Sequence, residues 1–259
     1  MYHYDLHCHT SNSKDSPADI RRTVRLAKQR GIDGIAVTDH NKTYKGPLRI
    51  EGIDIIPGCE LTLKGGGHLL GYFVTEEIKP YRGLRETVAD VKAQGGYAVL
   101  AHPLRESNGW IRKNGEKEIN VDEALEILDG LESGNASVSD EDMARVSEIA
   151  ERAGIIQTAG SDLHTSGQVG FVVLAVKERI TKANFIEVIR KAEIIVRPEA
   201  AIFRKNIRRK KKVAINIVNL LGSYNMKFFT YLFSVLVIKN YFRLKNRKFE
   251  SVKFNFKEN

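Results

Sequence analysis

Short apolar runs alternate with amphipathic stretches along the first two hundred residues of the chain. Ile32–Val37, Ile53–Ile56, Tyr97–Leu100, Ile155–Thr158, Phe171–Val176 and Ile194–Val196 are brief, apolar and bounded by turn residues, which predicts buried strands. Between them apolar positions recur every three or four residues. Ile20, Val24, Leu26 and Ala27 form one such stripe, and Leu84–Ala93, Val121–Leu128, the stretch from Ser139 to Ala153, and Thr181–Ala192 form others. Punctuation agrees with the periods. Ser16-Pro17-Ala18-Asp19 predicts a helix start with Ser16 as cap and Pro17 at the first helical position, and Gly31 closes that helix. Leu61–Leu63 and His68–Val74 flank Gly65-Gly66-Gly67, which predicts a hairpin. The alternation of strands and helices predicts an α/β fold with a parallel sheet and helices outside.

The polar residues that end these runs carry the chemistry. A tyrosine-rich strand leads into Asp5-Leu6-His7-Cys8-His9, where alternation puts His7 and His9 on one face and Cys8 on the other. Alone, the pair reads better as two polar residues on a solvated edge than as metal ligands. The arrangement recurs, however, at Thr38-Asp39-His40, Gly58-Cys59-Glu60, Ala101-His102-Pro103, Leu131-Glu132 and Gly160-Ser161-Asp162-Leu163-His164. Ligand-type residues at successive strand ends argue for a sheet closed into a barrel, whose chemistry sits at that end. His7, His9, Asp15, His40, Glu60, His102, Glu132, Asp162 and His164 make nine candidate ligands. One ion uses four to six, so two or three divalent ions are expected. Imidazoles and carboxylates without thiolates suit zinc, manganese or iron, with magnesium also admissible. Paired ions clamp the two oxygens of a displacement, a chemistry typical of phosphate ester hydrolysis.

In this order the motifs resemble the PHP (polymerase and histidinol phosphatase) superfamily, over about residues 1–198. The resemblance implies a distorted (β/α)7 TIM-like barrel with a trinuclear metal centre, and hydrolysis of a phosphate ester by metal-bound hydroxide. It implies that His7, His9, Glu60 and Asp162 hold a first ion. Glu60 then bridges to a second ion, held also by His102 and a residue near Glu132, and Asp15, His40 and His164 hold a third. Members often carry histidine where this chain has Glu132, and Asn135 lies close enough to compete. Asp39 faces away from His40 and is expected either to orient an imidazole or to make a plain hydrogen bond. His3 and His68 are expected to be structural or solvated. Arg105, two residues beyond His102-Pro103, is the first candidate for gripping substrate phosphate, with Arg112 and Lys113 behind it.

Charge divides the chain. Residues 199–259 hold fifteen Lys and Arg against three Glu, a balance of +12, so that residues 1–198 carry −3 within the overall +9. This predicts a barrel over 1–198 and a basic C-terminal extension over 199–259. Arg208-Arg209-Lys210-Lys211-Lys212 could meet nucleic acid or an anionic membrane, and the apolar run Phe228–Ile238 is too short to span a bilayer. Two cysteines, Cys8 and Cys59, and a start that enters a strand at once fit a reduced, cytoplasmic setting. With no polymerase module and no long basic groove in 1–198, a small phosphomonoester or nucleotide is preferred as substrate. The alternatives are an exonuclease on short RNA or DNA, a metal-dependent amidohydrolase, and a non-catalytic metal-stabilised module that binds nucleic acid or membrane. Glu60 and Thr38-Asp39-His40 sit where the amidohydrolase class does not expect them.

Overall fold

The computed structural model describes residues 1–111 and 121–207. Arg112, Lys113 and the segment from Arg208 onward, with its basic cluster and apolar run, lie outside the described residues.

Among the described residues, ten strands build one sheet. They are β1 (Tyr2–Cys8), β2 (Gly34–Val37), β3 (Arg49–Ile50), β4 (Ile53–Thr62), β5 (His68–Tyr72), β6 (Tyr97–Ala101), β7 (Gly130–Asn135), β8 (Ile156–Gly160), β9 (Val172–Val176) and β10 (Glu193–Val196). The helices are α1 (Ile20–Gln29), α2 (Leu84–Ala93), α3 (Val121–Ile127), α4 (Asp140–Ala153), α5 (Phe185–Arg190) and α6, residues 198–207. The strand order is β10-β9-β1-β2-β4-β5-β6-β7-β8, with β3 on β4. The sheet is mixed rather than parallel throughout. β1-β2-β4 and β6-β7-β8 are parallel, but β5 runs antiparallel to both neighbours and β9 antiparallel to β1 and β10. For β4 and β5 the reason is connection length: the glycine hairpin between them is far shorter than the dozen or so residues that a parallel crossover needs.

The sheet nearly closes into a barrel. Beyond β8 the chain folds back on β1, where Leu163 pairs in parallel with Cys8 and the His9 N–H reaches the Leu163 carbonyl at 3.0 Å. Gly160 permits this approach, because a Cβ there would lie 2.4 Å from the His7 backbone nitrogen. Tyr4 and Leu6 of β1 join Leu70, Tyr72, Val99 and Leu174 in one apolar cluster. Cys8 packs under α1 with Val24, Ala27 and Val37, and Cys59 packs under α2 with Val88 and Val91.

Several local expectations shift. Asp19, not Ser16, caps α1, its Oδ1 accepting the Arg22 N–H at 2.8 Å. The Ser16 hydroxyl instead lies 3.1 Å from the His164 carbonyl, tying the loop after β1 to the loop after β8. The predicted strand at Ile53–Ile56 continues to Thr62, because β5 pairs with its second half. Helix α5 begins at Phe185 rather than at Thr181, whose N–H is held by Asn184 in the preceding turn. Pro198 opens α6. Ala200 is buried there, Phe203 meets Phe171 at 6.0 Å between ring centroids, and Arg204 reaches Asp140 at 2.6 Å. The compact unit therefore runs from Met1 to Lys205, past the point where the charge changes sign.

Candidate metal centre

Four side chains meet at the end of β1. His7 Nε2 and His9 Nε2 are 3.2 Å apart. Glu60 Oε2 lies 3.5 and 3.3 Å from these two nitrogens, and Asp162 Oδ1 lies 3.6 and 3.3 Å from them. All four residues are buried, and neither Glu60 Oε2 nor Asp162 Oδ1 has a hydrogen-bond partner. The outer ring nitrogens fix the tautomers. His7 Nδ1 is 2.8 Å from Glu132 Oε1, which only accepts, so Nδ1 carries the proton. His9 Nδ1 faces the Ser13 hydroxyl at 3.1 Å, and that hydroxyl gives its own proton to Asp39 Oδ1 at 3.1 Å. Two imidazole lone pairs are thus set against two carboxylate oxygens, an arrangement that a cation or added protons would relieve. Each carboxylate oxygen stands 3.3–3.6 Å from the two ring nitrogens, close to the edge of about 3.3–3.4 Å between two donors about 2.0–2.1 Å from one ion.

Glu60 extends the cluster in the other direction. Its Oε2 also lies 2.9 Å from His40 Nδ1, while its Oε1 is 3.0 Å from His102 Nε2 and 2.9 Å from His68 Nδ1. On the outer side, Asp15 Oδ2 stands 3.2 Å from His164 Nε2 and 3.4 Å from His40 Nε2. Three groups hold ligating atoms within 4.8 Å of one another: His7, His9 and Glu60; His9, His40 and His164; and His40, Glu60 and His68. The donor set and the unpartnered carboxylate oxygens fit divalent ions, with one Glu60 oxygen turned to each side.

The electrostatics agree. Burial lowers the proton affinity of His7, but the carboxylates of Glu132, Asp162 and Glu60 raise its pKa well above the usual imidazole value. Burial raises Glu60 and Asp162, yet both stay well below the ordinary carboxylate range. For Glu60 the histidines His68 and His7 are responsible; for Asp162 they are Arg105 and His7. His40 also loses affinity through burial, but Asp15 and Glu60 lift its pKa to about 10. Protons and metal ions compete for the same lone pairs.

A family model for the PHP domain matches residues 5–226. The chain belongs to the PHP domain family. Membership carries the coarse reading of this PHP domain as a metal-dependent hydrolase, and the match runs past Pro198, where the resemblance was expected to stop. An uncharacterized protein of Methanocaldococcus jannaschii, MJ1587, is 30% identical over 148 residues, 51% of this chain and 81% of that protein. A two-domain protein of Bacteroides vulgatus containing a predicted PHP-like metal-dependent phosphoesterase superimposes with a TM-score of 0.55 at 21% identity. That likeness covers 75% of this chain and 64% of the other. Endonuclease Q of Pyrococcus furiosus, a lesion-specific endonuclease, superimposes with a TM-score of 0.56 at 17% identity, over 74% of this chain and 57% of its own. At such identities these two likenesses show the fold.

Most of the expected residues of the PHP domain gather here, but their roles divide. Glu132 turns outward from the ligand groups, its carboxylate spent on His7 Nδ1, the His102 N–H and the Asn135 amide. Asn135 Oδ1 accepts from the Ser137 N–H and hydroxyl at 2.9 and 2.7 Å, so it too points elsewhere. Asp39 accepts from the Thr10 N–H, the Thr10 hydroxyl and the Ser13 hydroxyl, holding the loop that backs His9. Arg105 reaches the site through Asp162 Oδ2 and sits 3.1 Å from the Ser137 hydroxyl. His68, expected to be structural or solvated, is the residue the sequence reading missed. The hairpin sets it across from Thr62, two residues past Glu60, a register that the glycine turn by itself does not reveal. Asp5 was also passed over. It is buried, accepts from the Ser161 N–H at 2.8 Å, the Ser161 hydroxyl at 2.6 Å and the Gly170 N–H at 2.8 Å, and so clamps the loop that presents Asp162.

Proposed function

We propose that this PHP domain is a phosphoesterase acting on a small phosphomonoester or nucleotide, with up to three divalent ions. His7, His9, Glu60 and Asp162 would hold the first ion. Glu60, His68 and His102 would hold the second, and Asp15, His40 and His164 the third. The observation that carries this reading is the buried cluster in which His7 and His9 Nε2 meet oxygens of Glu60 and Asp162 at 3.2–3.6 Å. When bound, the ions supply Lewis acidity and make a water nucleophile accessible at neutral pH.

The chain's own groups do the remainder. Glu60 divides its charge between two sides of the cluster, which keeps neighbouring cations compatible. Ser13 and Asp39 hold the His9 proton on Nδ1 and keep Nε2 free. Arg105 brings a permanently charged guanidinium to the rim beside Asp162; its Nε and Nη1 are engaged by Asn108, Ser137 and Asp162, so Nη2 is the group that would meet a phosphate oxygen. Asp15, half-exposed with His40 and His164, marks the solvent side from which a substrate enters. No helix among the described residues is long and apolar enough to cross a membrane.

The test is hydrolysis by full-length protein loaded with Mn²⁺, Zn²⁺ or Mg²⁺. Substrates would be nucleotides, sugar phosphates, a short oligonucleotide and an amide. Phosphate release from a small monoester supports the proposal. Cleavage confined to the oligonucleotide would move the reading to a nuclease, and turnover of the amide alone would move it to the amidohydrolase class.

A further inference from the structure

Glu132 occupies a place that does not suit a ligand. It is 2% exposed, and three donors converge on its two oxygens. Oε1 accepts from His7 Nδ1 at 2.8 Å; Oε2 accepts from the His102 N–H at 2.8 Å and from the Asn135 amide at 3.1 Å. We propose that Glu132 is a positioning residue that aims the imidazoles of His7 and His102 toward Glu60.

Two links support this. A neutral imidazole has one N–H, so a carboxylate at Nδ1 leaves the lone pair on Nε2. That is the atom of His7 that faces His9, Glu60 and Asp162. The second link is backbone. His102 has φ +30°, an uncommon value for a side-chain-bearing residue, and a buried carboxylate on its N–H helps hold it there. In that conformation His102 Nε2 lies 3.0 Å from Glu60 Oε1. Strand register supplies the reach: Leu131 pairs with Leu100, which places Glu132 beside the end of β6 where His102 begins. Asn135 completes the mount. Its amide holds Glu132 Oε2, and its oxygen receives the Ser137 hydroxyl, which also stands beside Arg105.

The inference rests on the metal-site reading above. The test is zinc titration of full-length wild type, Glu132→Gln and Glu132→Ala against a competing chromogenic chelator. Stoichiometry at saturation is read separately from affinity, and melting curves confirm folding. If Glu132 positions, both variants reach wild-type stoichiometry, and the affinity of the tightest site falls by about 10–100-fold in Glu132→Ala. Glu132→Gln, which keeps one acceptor oxygen, falls less. ¹⁵N-histidine spectra of the zinc-loaded protein should show a protected proton on His7 Nδ1 in wild type that is lost in Glu132→Ala. Loss of one whole equivalent of zinc in a folded variant would make Glu132 a ligand and overturn the inference, leaving the metal reading intact. Unchanged affinity in both variants would overturn it as well. A wild-type chain that takes up no zinc would overturn both readings.

Discussion

Replacing Glu60 with glutamine tests the centre at its most connected point. Glu60 Oε2 is 3.5, 3.3 and 2.9 Å from ring nitrogens of His7, His9 and His40, and Oε1 is 2.9 and 3.0 Å from those of His68 and His102. Glutamine has the same shape but one acceptor. Whichever way its amide turns, an NH₂ group faces one set of imidazoles and cannot ligate an ion there. The other set keeps a neutral oxygen in place of a charged one. Removing one partner of a buried charge pair costs about 3–5 kcal/mol, which corresponds to roughly two to four orders of magnitude in affinity. The assay is equilibrium dialysis against Mn²⁺ or Zn²⁺ followed by elemental analysis. Wild type should retain at least two equivalents, and Glu60→Gln should lose one entirely and hold the rest more weakly. A folded Glu60→Gln protein with full stoichiometry and affinity within tenfold of wild type would refute the bridging argument.

Other outcomes follow from single contacts. His9→Ala should lower both metal content and activity, whereas Cys8→Ser should leave metal content nearly unchanged, since Cys8 lies in the cluster under α1; elemental analysis of both separates the faces of β1. Arg105→Ala should raise KM for a phosphorylated substrate at unchanged metal stoichiometry, and a drop in stoichiometry would instead make the guanidinium a support for Asp162. In chelator-treated protein, His40 has a folded pKa of about 10 against an ordinary 6.5, so the stability it adds is complete below about pH 6.5 and is lost as pH rises toward 10. The melting temperature of that metal-free form should fall across this window, and a flat or rising profile would contradict the Asp15–His40–Glu60 arrangement. A chain ending at Pro198 loses Ala200, Phe203 and Arg204 from the packed body and should melt several degrees below one ending at Ile207, on the scale of about 1.5–3 kcal/mol for a buried apolar side chain. Equal melting temperatures would show that α6 adds nothing to the barrel.

The strand-end pattern was legible because a ligand at the end of an apolar run is a local feature, and His7, His9, His40, His102, Asp162 and His164 all stand at such ends. Glu60 was found for the same reason, although it lies inside β4 rather than at its end. What stayed hidden depends on partners distant in the chain. His68 is drawn in by cross-strand register, which composition around a glycine turn does not reveal. Glu132 has the right chemistry for a ligand, and only the positions of His7 and the His102 backbone show that its oxygens are already committed. The α1 cap moved from Ser16 to Asp19 because Ser16 is needed beside the His164 carbonyl, a contact between residues 148 positions apart. The charge boundary at Pro198 was real in composition, but Phe203 and Ala200 follow the apolar logic of the core.

The near-closure of the sheet also sets an order of events during synthesis. β1 has β2 on one side, but its other side is filled by β9 and by the Leu163 segment, and His7 meets Asp162 only across that seam. About 155 residues separate the two side chains, so at ribosomal rates of about 5–20 residues per second the first half of the cage waits roughly 8–30 s for the second. A nascent chain in that interval offers His7, His9 and Glu60 without Asp162. On the proposed assignment, the first-ion site would therefore be complete only once the segment after β8 has folded back on β1.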